Sequence, residues 1–253
     1  MKKEGERILL DHGSGGGLSH DLIRDHIVKA FGSSTDMDSA WLDLPTGRLA
    51  FTTDSYVVKP LFFPGGDIGK LAVCGTINDL SVSGAVPEVL SCSFIIEEGF
   101  LMDEFIQVVQ SMARTASSSG VRIVTGDTKV VERGSGDQLF INTSGIGVRS
   151  EKARDVGGRH VRDGDSVILN GPIASHGAAV MAKRHGFEFE TQVMSDCAPL
   201  HELIQAVLNA GVDVRFMRDV TRGGLATVCN ECISGIKLGM ALDEQNISVD
   251  EGG

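Results

Sequence analysis

One amphipathic helix lies between two apolar segments near the middle of the chain, and this arrangement constrains the fold more than any other feature. Val89 to Ile96 reads as a strand. Phe105, Ile106, Val109, Met112, Ala113 and Ala116 then recur at the spacing of a helix with one buried stripe. Asp103 is placed to cap that helix, Gly120 to end it, and Val121, Ile123 and Val124 form a short strand running into Gly126-Asp127. A strand–helix–strand succession of this kind joins parallel neighbours through a right-handed crossover. The chain is therefore read as α/β.

The flanking segments extend the pattern. Leu22, Ile23, Ile27, Ala30 and Phe31 form a helix stopped by Gly32, and Leu49 to Asp54 alternates as a strand. Val73, Ile77 and Leu80 share one face of a helix that follows Pro64-Gly65-Gly66-Asp67, and Leu139 to Val148 is a further strand. Charge accumulates in SEKARDVGGRHVRDGD, which places a boundary near residue 150 and predicts domains 1–150 and 151–253. In the second domain, strands are expected at Val167–Leu169 and Val214–Met217, with helices at Leu200–Leu208 and Leu225–Ile233.

Composition excludes several classes. A formal charge of −11 with no basic run argues against nucleic acid. No window approaches the ~18 apolar residues of a membrane span. The five scattered cysteines read as reduced thiols of a cytoplasmic protein. Cys229 and Cys232 have metal-ligand spacing, but they fall inside a predicted helix without a second pair and are assigned to the core. His176, before Gly177, is read as a helix cap as readily as a ligand.

The aspartates carry the chemistry. Asp54, Asp127 and Asp219 each close an apolar segment, where open α/β sheets place ligands, and Asp79 lies on a helix among small neighbours. A lone strand-end Asp is usually a helix cap or turn former. Four in one chain also suit magnesium, which takes one or two carboxylates together with phosphate oxygens. The glycine loops match no standard nucleotide fingerprint. GGDIGKL lacks Gly where Pro64 stands and Ser or Thr where Leu71 stands, and DHGSGGGLSH has Leu18 at its third glycine position. The run Gly13, Ser14, Gly15, Gly16 is either an arm whose amides wrap phosphate or a disordered segment. Lys129, after Gly126, Asp127 and Thr128, is either a solvated loop lysine or a cation for a transferring phosphoryl group. Arg222, beside Thr221 and two glycines at a predicted helix start, has the same two readings.

The segments DHGSGG, FTTDSYVV, LFFPGGDIGKLAVCGTINDLSVSGA, TGDTKVVERGSGD, FINTSGIG, LNGPIASHGAAVMAKRHGFEFET, SDCAPL and RDVTRGGLATVCNE run through nearly the whole chain in one order. They resemble the HypE family of hydrogenase-maturation proteins, in the aminoimidazole-ribonucleotide synthetase superfamily. The resemblance implies a two-domain α/β (α+β) fold whose N-terminal domains pair as a homodimer, joining their sheets into a barrel with ATP along the interface. It implies ATP-dependent dehydration of a carbamoyl group, placed on a C-terminal cysteine by the carbamoyltransferase HypF, to a thiocyanate that supplies cyanide to nickel-iron hydrogenase through the HypC–HypD scaffold. By motif, Asp54, Asp79 and Asp127 would hold magnesium and ATP with support from Asn78, and Lys129 would lie beside the reacting carboxamide. Gly13 to Gly17 would close over phosphates, and Asp219, Thr221 and Arg222 would line the second domain's part of the cleft.

Val220 stands where the family usually has Pro, and Gly17 where Arg is common. The family continues for roughly eighty further residues, to a terminal cysteine and beyond a further catalytic Glu. The C-terminal domain is accordingly expected to be incomplete, which leaves a non-catalytic dimerisation and docking module as one alternative. A selenophosphate-synthetase-like phosphotransferase is another. It needs a cysteine near the glycine arm, whereas the first cysteine here is Cys74, inside a predicted helix.

Overall fold

The computed structural model describes residues 6–33, 39–186 and 193–249. Phe187 to Gln192, all but the last of them within one of the resembling segments, and the last four residues lie outside that set. A 3-10 turn at Leu10–Gly13 leads into one helix formed by α1 (Gly17–Leu22), a π-type stretch at Ile23–Val28, and α2 (Lys29–Phe31), with Gly32 in the left-handed conformation as its cap. Strand β1 (Leu49–Tyr56) follows, then a short hairpin of β2 (Phe62–Phe63) and β3 (Gly66–Asp67) that opens helix α3 (Ile68–Val82). Next come β4 (Ala85–Glu97), α4 (Met102–Ser118), β5 (Arg122–Val131) and β6 (Leu139–Arg149). The described residues of the second domain carry α5 (Ser175–His185), α6 (His201–Asn209) and α7 (Gly224–Cys232), with a 3-10 turn at Glu244–Asn246.

The main sheet has the order β1-β6-β4-β5, with β4 and β5 parallel across α4 and the other pairs antiparallel. The apolar stripe of α4 packs on one face of this sheet, where Phe105 meets Phe94 edge-on at a centroid distance of 5.2 Å. The helix begins at Met102 with Leu101 as its cap residue, so Asp103 sits in the first turn instead of capping it.

Helix α3 lies on the same face. The Asp67 carboxylate caps it, accepting from the backbone N–H of Gly69 at 2.8 Å and of Lys70 at 3.0 Å, and also from Ser111 Oγ of α4 at 2.5 Å. Two glycines allow the helix to come close: a Cβ on Gly75 would collide with the Tyr56 hydroxyl, and one on Gly145 would meet Leu80, Leu90 and Thr76 at 2.9 Å. Beneath it runs a buried series of hydroxyls. Thr143 Oγ donates to the Ala72 carbonyl at 3.2 Å, Thr76 and Thr143 are 2.5 Å apart, and Tyr56 and Thr76 are 3.4 Å apart. A carbonyl only accepts and each hydroxyl has one hydrogen, so the direction follows: Tyr56 donates to Thr76, Thr76 to Thr143, and Thr143 to Ala72. Burial pushes the Tyr56 phenol well above its ordinary range and keeps it a donor.

The strands expected at Val167–Leu169 and Val214–Met217 do not form ladders. A strand requires a hydrogen-bonded neighbour, and the described residues supply only isolated bridges, Gly157 with Phe216 and Ile173 with Val249. Ile168 is 85% exposed for the same reason. The second core is small: Ala153, Ile204 and Leu208, leaning on Val82 of α3 and on Leu200, Val214 and Met217. Among the described residues no helix is long and apolar enough to cross a membrane.

Thr143→Val keeps the shape but leaves the Thr76 proton without its acceptor. We expect it to lower the unfolding free energy by about 1–3 kcal/mol; an unchanged urea midpoint would remove the hydroxyl series from the list of stabilising contacts.

Candidate active site

Strand period decides which way each aspartate points. On β1, Thr52, Asp54 and Tyr56 share the face that carries α3. Asp54 is paired with Thr143, itself buried under that helix. From α3, Asp79 reaches the same place, and its Oδ2 accepts from Thr52 Oγ1 at 2.9 Å. Asp219 arrives from the second domain. All three line one cleft of about 1810 Å³ between the sheet and that domain, together with Asn78, Thr221 and Arg222. A cleft this size exceeds the ~300–1,000 Å³ typical of small-molecule pockets.

The electrostatics of the cleft are acidic. Burial, followed by the charges of Asp219 and Asp54, raises the Asp79 carboxyl above the usual carboxylate range, against the Thr52 hydrogen bond that lowers it. Burial also raises Asp219, with Asp54 and Glu231 adding to the effect. Arg218 lowers both. Arg222, 90% exposed, places Nη2 4.0 Å from Asp54 Oδ1. Carboxylates that resist sharing a site, all with oxygen donors, fit a hard divalent cation and the phosphates it carries.

Asp127 is elsewhere. Neither it nor Asp54 ends its strand; both lie inside, and the row Ser55–Asn142–Ser93–Asp127 runs across the sheet one residue out of phase with Asp54–Thr143–Cys92. The alternation of side chains therefore sends Asp127 to the opposite face, and three spacings of ~4.8 Å separate its strand from β1. Within one chain Asp54, Asp79 and Asp127 do not converge, and among the described residues no three His, Cys, Asp or Glu side chains gather as an ion site. Lys129 pairs with Asp127 at 3.3 Å on that exposed face. The glycine arm lies at the same sheet edge, since a Cβ on Gly13 would meet Val130 N at 2.5 Å. Gly13 is ordered as the end of a 3-10 turn, and Ser14 Oγ donates to the Asp11 carbonyl at 3.0 Å. Gly126 and Thr128 flank Asp127 on β5, and Gly15 and Gly16 lead into α1.

Asn78 does not face the carboxylates. Its Nδ2 donates to the Ala198 carbonyl at 3.0 Å and its Oδ1 accepts from Leu200 N–H at 2.8 Å, so the amide holds the second domain's loop against α3. Asp219 lies in an unpaired segment and not at a strand end. Sequence reasoning missed Thr52 and Arg218. Thr52 was accessible through the period-2 rule that places it beside Asp54, whereas Arg218 had no local signal. His176 is no cap: its Nδ1 lies 2.9 Å from Ser195 Oγ, and its ring meets Phe63 edge-on. Cys229 and Cys232 are buried on α7.

Comparison with known proteins matches residues 36–149 to the AIR synthase related protein N-terminal domain and residues 162–253 to the corresponding C-terminal domain. Carbamoyl dehydratase HypE of Rhizobium leguminosarum bv. viciae is 48% identical over 95% of this chain and 70% of its own length. The HypE of Escherichia coli K12 is 45% identical over 96% and 74%. A crystal structure of HypE in complex with ATP is 49% identical, with a TM-score of 0.84 over 88% of this chain and 67% of that one. A HypE–HypF complex is 45% identical, with a TM-score of 0.78 over 94% and 76%.

A carboxyl whose pKa rises on folding holds its proton more tightly in the folded state. Its charge therefore costs stability above the folded pKa, and the cost fades as pH falls through that value. Asp79→Asn, which still accepts from Thr52, is expected to melt at a higher temperature than the parent at neutral pH. The difference should close towards pH ~4, near the ordinary carboxylate value; a variant that melts lower throughout would refute the crowding of these acids.

Proposed function

We propose, because this chain belongs to the HypE carbamoyl dehydratase family of AIR synthase related proteins, that its reaction is the ATP-dependent dehydration of a C-terminal cysteine S-carboxamide to a thiocyanate. That product supplies the cyanide ligand of the nickel-iron hydrogenase. The observation that carries the assignment of the site is the cleft lined by Asp54, Asp79 and Asp219 beside Arg222, in which the first and third raise the pKa of the second.

The two domains match the N-terminal and C-terminal domains of AIR synthase related proteins. We assign residues 1–150 to ATP binding and dimerisation and residues 151–253 to the second domain. Asp54 and Asp79 would hold magnesium, with Thr52 fixing the Asp79 carboxylate. Bound there, magnesium would offset phosphate charge. Thr221, Arg222 and Asp219 would border the phosphates from the second domain. An amide oxygen is a poor leaving group and its phosphate ester a good one, so phosphoryl transfer to the carboxamide oxygen prepares the loss of water. Lys129 would lie beside that oxygen and stabilise the charge developing on it.

These residues occupy two faces of one sheet, and a homodimer reconciles them. The face carrying Asp127 and Lys129 is left open by the chain's own helices. It is lined by hydroxyl and amide side chains and edged by Phe51, 71% exposed, and Ile95. Joining this face to its counterpart in a second copy would close the barrel. Asp127 and Lys129 of the partner subunit, with its Gly13, Ser14, Gly15, Gly16, Gly126 and Thr128, would then complete the cleft. HypF, present in a complex with a relative, would dock to load the carboxamide, and the HypC–HypD scaffold would receive the cyanide, both in the cytoplasm.

Complementation tests this arrangement. Asp79→Asn and Asp127→Asn should each lose ATP turnover by at least about a hundredfold. Mixing and reassociating the two inactive variants should restore about a quarter of parental turnover, because half of the dimers are mixed and each has one intact site. No recovery in a mixture shown to contain mixed dimers would place Asp127 and Asp79 in the same subunit's site or outside the site.

A further inference from the structure

Two thiols meet where the domains touch. Cys74 lies on α3, one turn before Asn78, and is 1% exposed. Cys197 lies on the second domain's loop and is half-buried. Both line the cleft. Asn78 bonds Ala198, the residue after Cys197, so the loop carries Cys197 along the turn of α3 that presents Cys74, and that loop is pinned on both sides. Ser195 N–H donates to the Pro64 carbonyl at 2.9 Å and Cys197 N–H to Ser195 Oγ at 3.2 Å, while Asn78 holds Ala198 and Leu200. The other cysteines lack this setting. Cys92 is buried in the sheet core beside Met112, and Cys229 and Cys232 sit together on α7.

We infer that Cys74 and Cys197 form a reversible interdomain disulfide, a redox modification site that staples the second domain's loop to the helix carrying Asp79. The pair is prepared for exchange. The Cys197 hydrogen bond, and then the Lys70 charge, draw the Cys74 thiol below the ordinary range, and the same bond pushes Cys197 up, so the pair ionises once readily. The oxidant class is a low-molecular-weight disulfide. Half-buried at the cleft, Cys197 passes its proton to the Cys74 thiolate as its sulfur attacks one sulfur of RSSR, forming a mixed disulfide and displacing RS⁻, which takes that proton from Cys74 and leaves as RSH. The Cys74 thiolate so regenerated, accessible to Cys197 but not to solvent, then attacks the Cys197 sulfur and displaces the second RS⁻, which takes a proton from solvent in place of the one Cys74 gave up on ionising. Two protein thiols and one RSSR become one protein disulfide and two RSH. The bond closes a long loop in the unfolded chain, so the oxidised form resists unfolding.

The test equilibrates the full chain in mixtures of oxidised and reduced glutathione, followed by alkylation and non-reducing peptide mapping. The expected result is a cross-linked pair of peptides containing Cys74 and Cys197, two hydrogens lighter than their sum. Cys92, Cys229 and Cys232 should be alkylated throughout, and dithiothreitol should reverse the link. Oxidation should raise the melting temperature of the parent by several degrees and leave Cys197→Ser unchanged. Five alkylated cysteines across the whole range, a glutathione adduct on Cys197 that never resolves, or a cross-link between other cysteines would each overturn the inference. None of these readouts uses ATP turnover, so the result stands apart from the assignment of the nucleotide site.

Discussion

The structure depends on seating α3 against the sheet. Apolar burial of Ile68, Val73, Ile77 and Leu80 draws the helix down, but burial is non-directional and does not select a register. The hydroxyls of Tyr56, Thr76 and Thr143 do, because a buried donor left without its acceptor is costly. Thr143 is fully buried and its proton has one acceptor, the Ala72 carbonyl. Gly75 and Gly145 remove the side chains that would hold the helix away. With the helix seated at that height, Asp79 meets Thr52 on β1, and Asn78, one residue earlier, turns towards the second domain.

Consecutive residues of one helix thus serve both sides of the cleft. Asp79 belongs to the acidic hollow, whereas Asn78 behaves as a peptide-like clamp on the loop at Ala198 and Leu200. Asp219 comes within electrostatic range of Asp79 only because the second domain docks in that position. Among the described residues the domain's apolar cluster at the junction is small, and Val82 from the end of α3 packs against it. Polar contacts along the junction, among them the Arg184 Nε bond to the Lys59 carbonyl at 2.7 Å, carry much of the docking. Interfaces of this kind are where domains move relative to each other, and the Cys74–Cys197 pair lies on that seam.

The face of the sheet turned away from α3 and α4 is polar. Antiparallel sheets tolerate one solvated face, and here that face has Asn142 bonded to Ser55 and Ser144 to Thr53. Asp127 and Lys129 stand on it in mutual contact, exposed and outside the cleft. The sheet thus carries Asp54 on the face under α3 and Asp127 and Lys129 on the other, and the dimer proposed above is what would bring the two sets together.

Much of this was legible from local pattern. The stripe of α4, the stop at Gly32, the parallel strands around α4 and the helices at α6 and α7 all follow from periodicities that repeat within a dozen residues. The aspartates likewise marked out an acidic cleft, which Asp54, Asp79 and Asp219 line. Tertiary structure alone decided which aspartates meet. Asp54 and Asp127 sit in similar local sequences, TTD and TGD, yet cross-strand register puts them on opposite faces, and one residue of phase is enough to do so. Asp219, in a segment outside any strand, joins Asp54 and Asp79 from far along the chain. Period is set by neighbours along the chain, and register by partners far along it; the sequence carries the first openly, and the second exists only once the strands have paired.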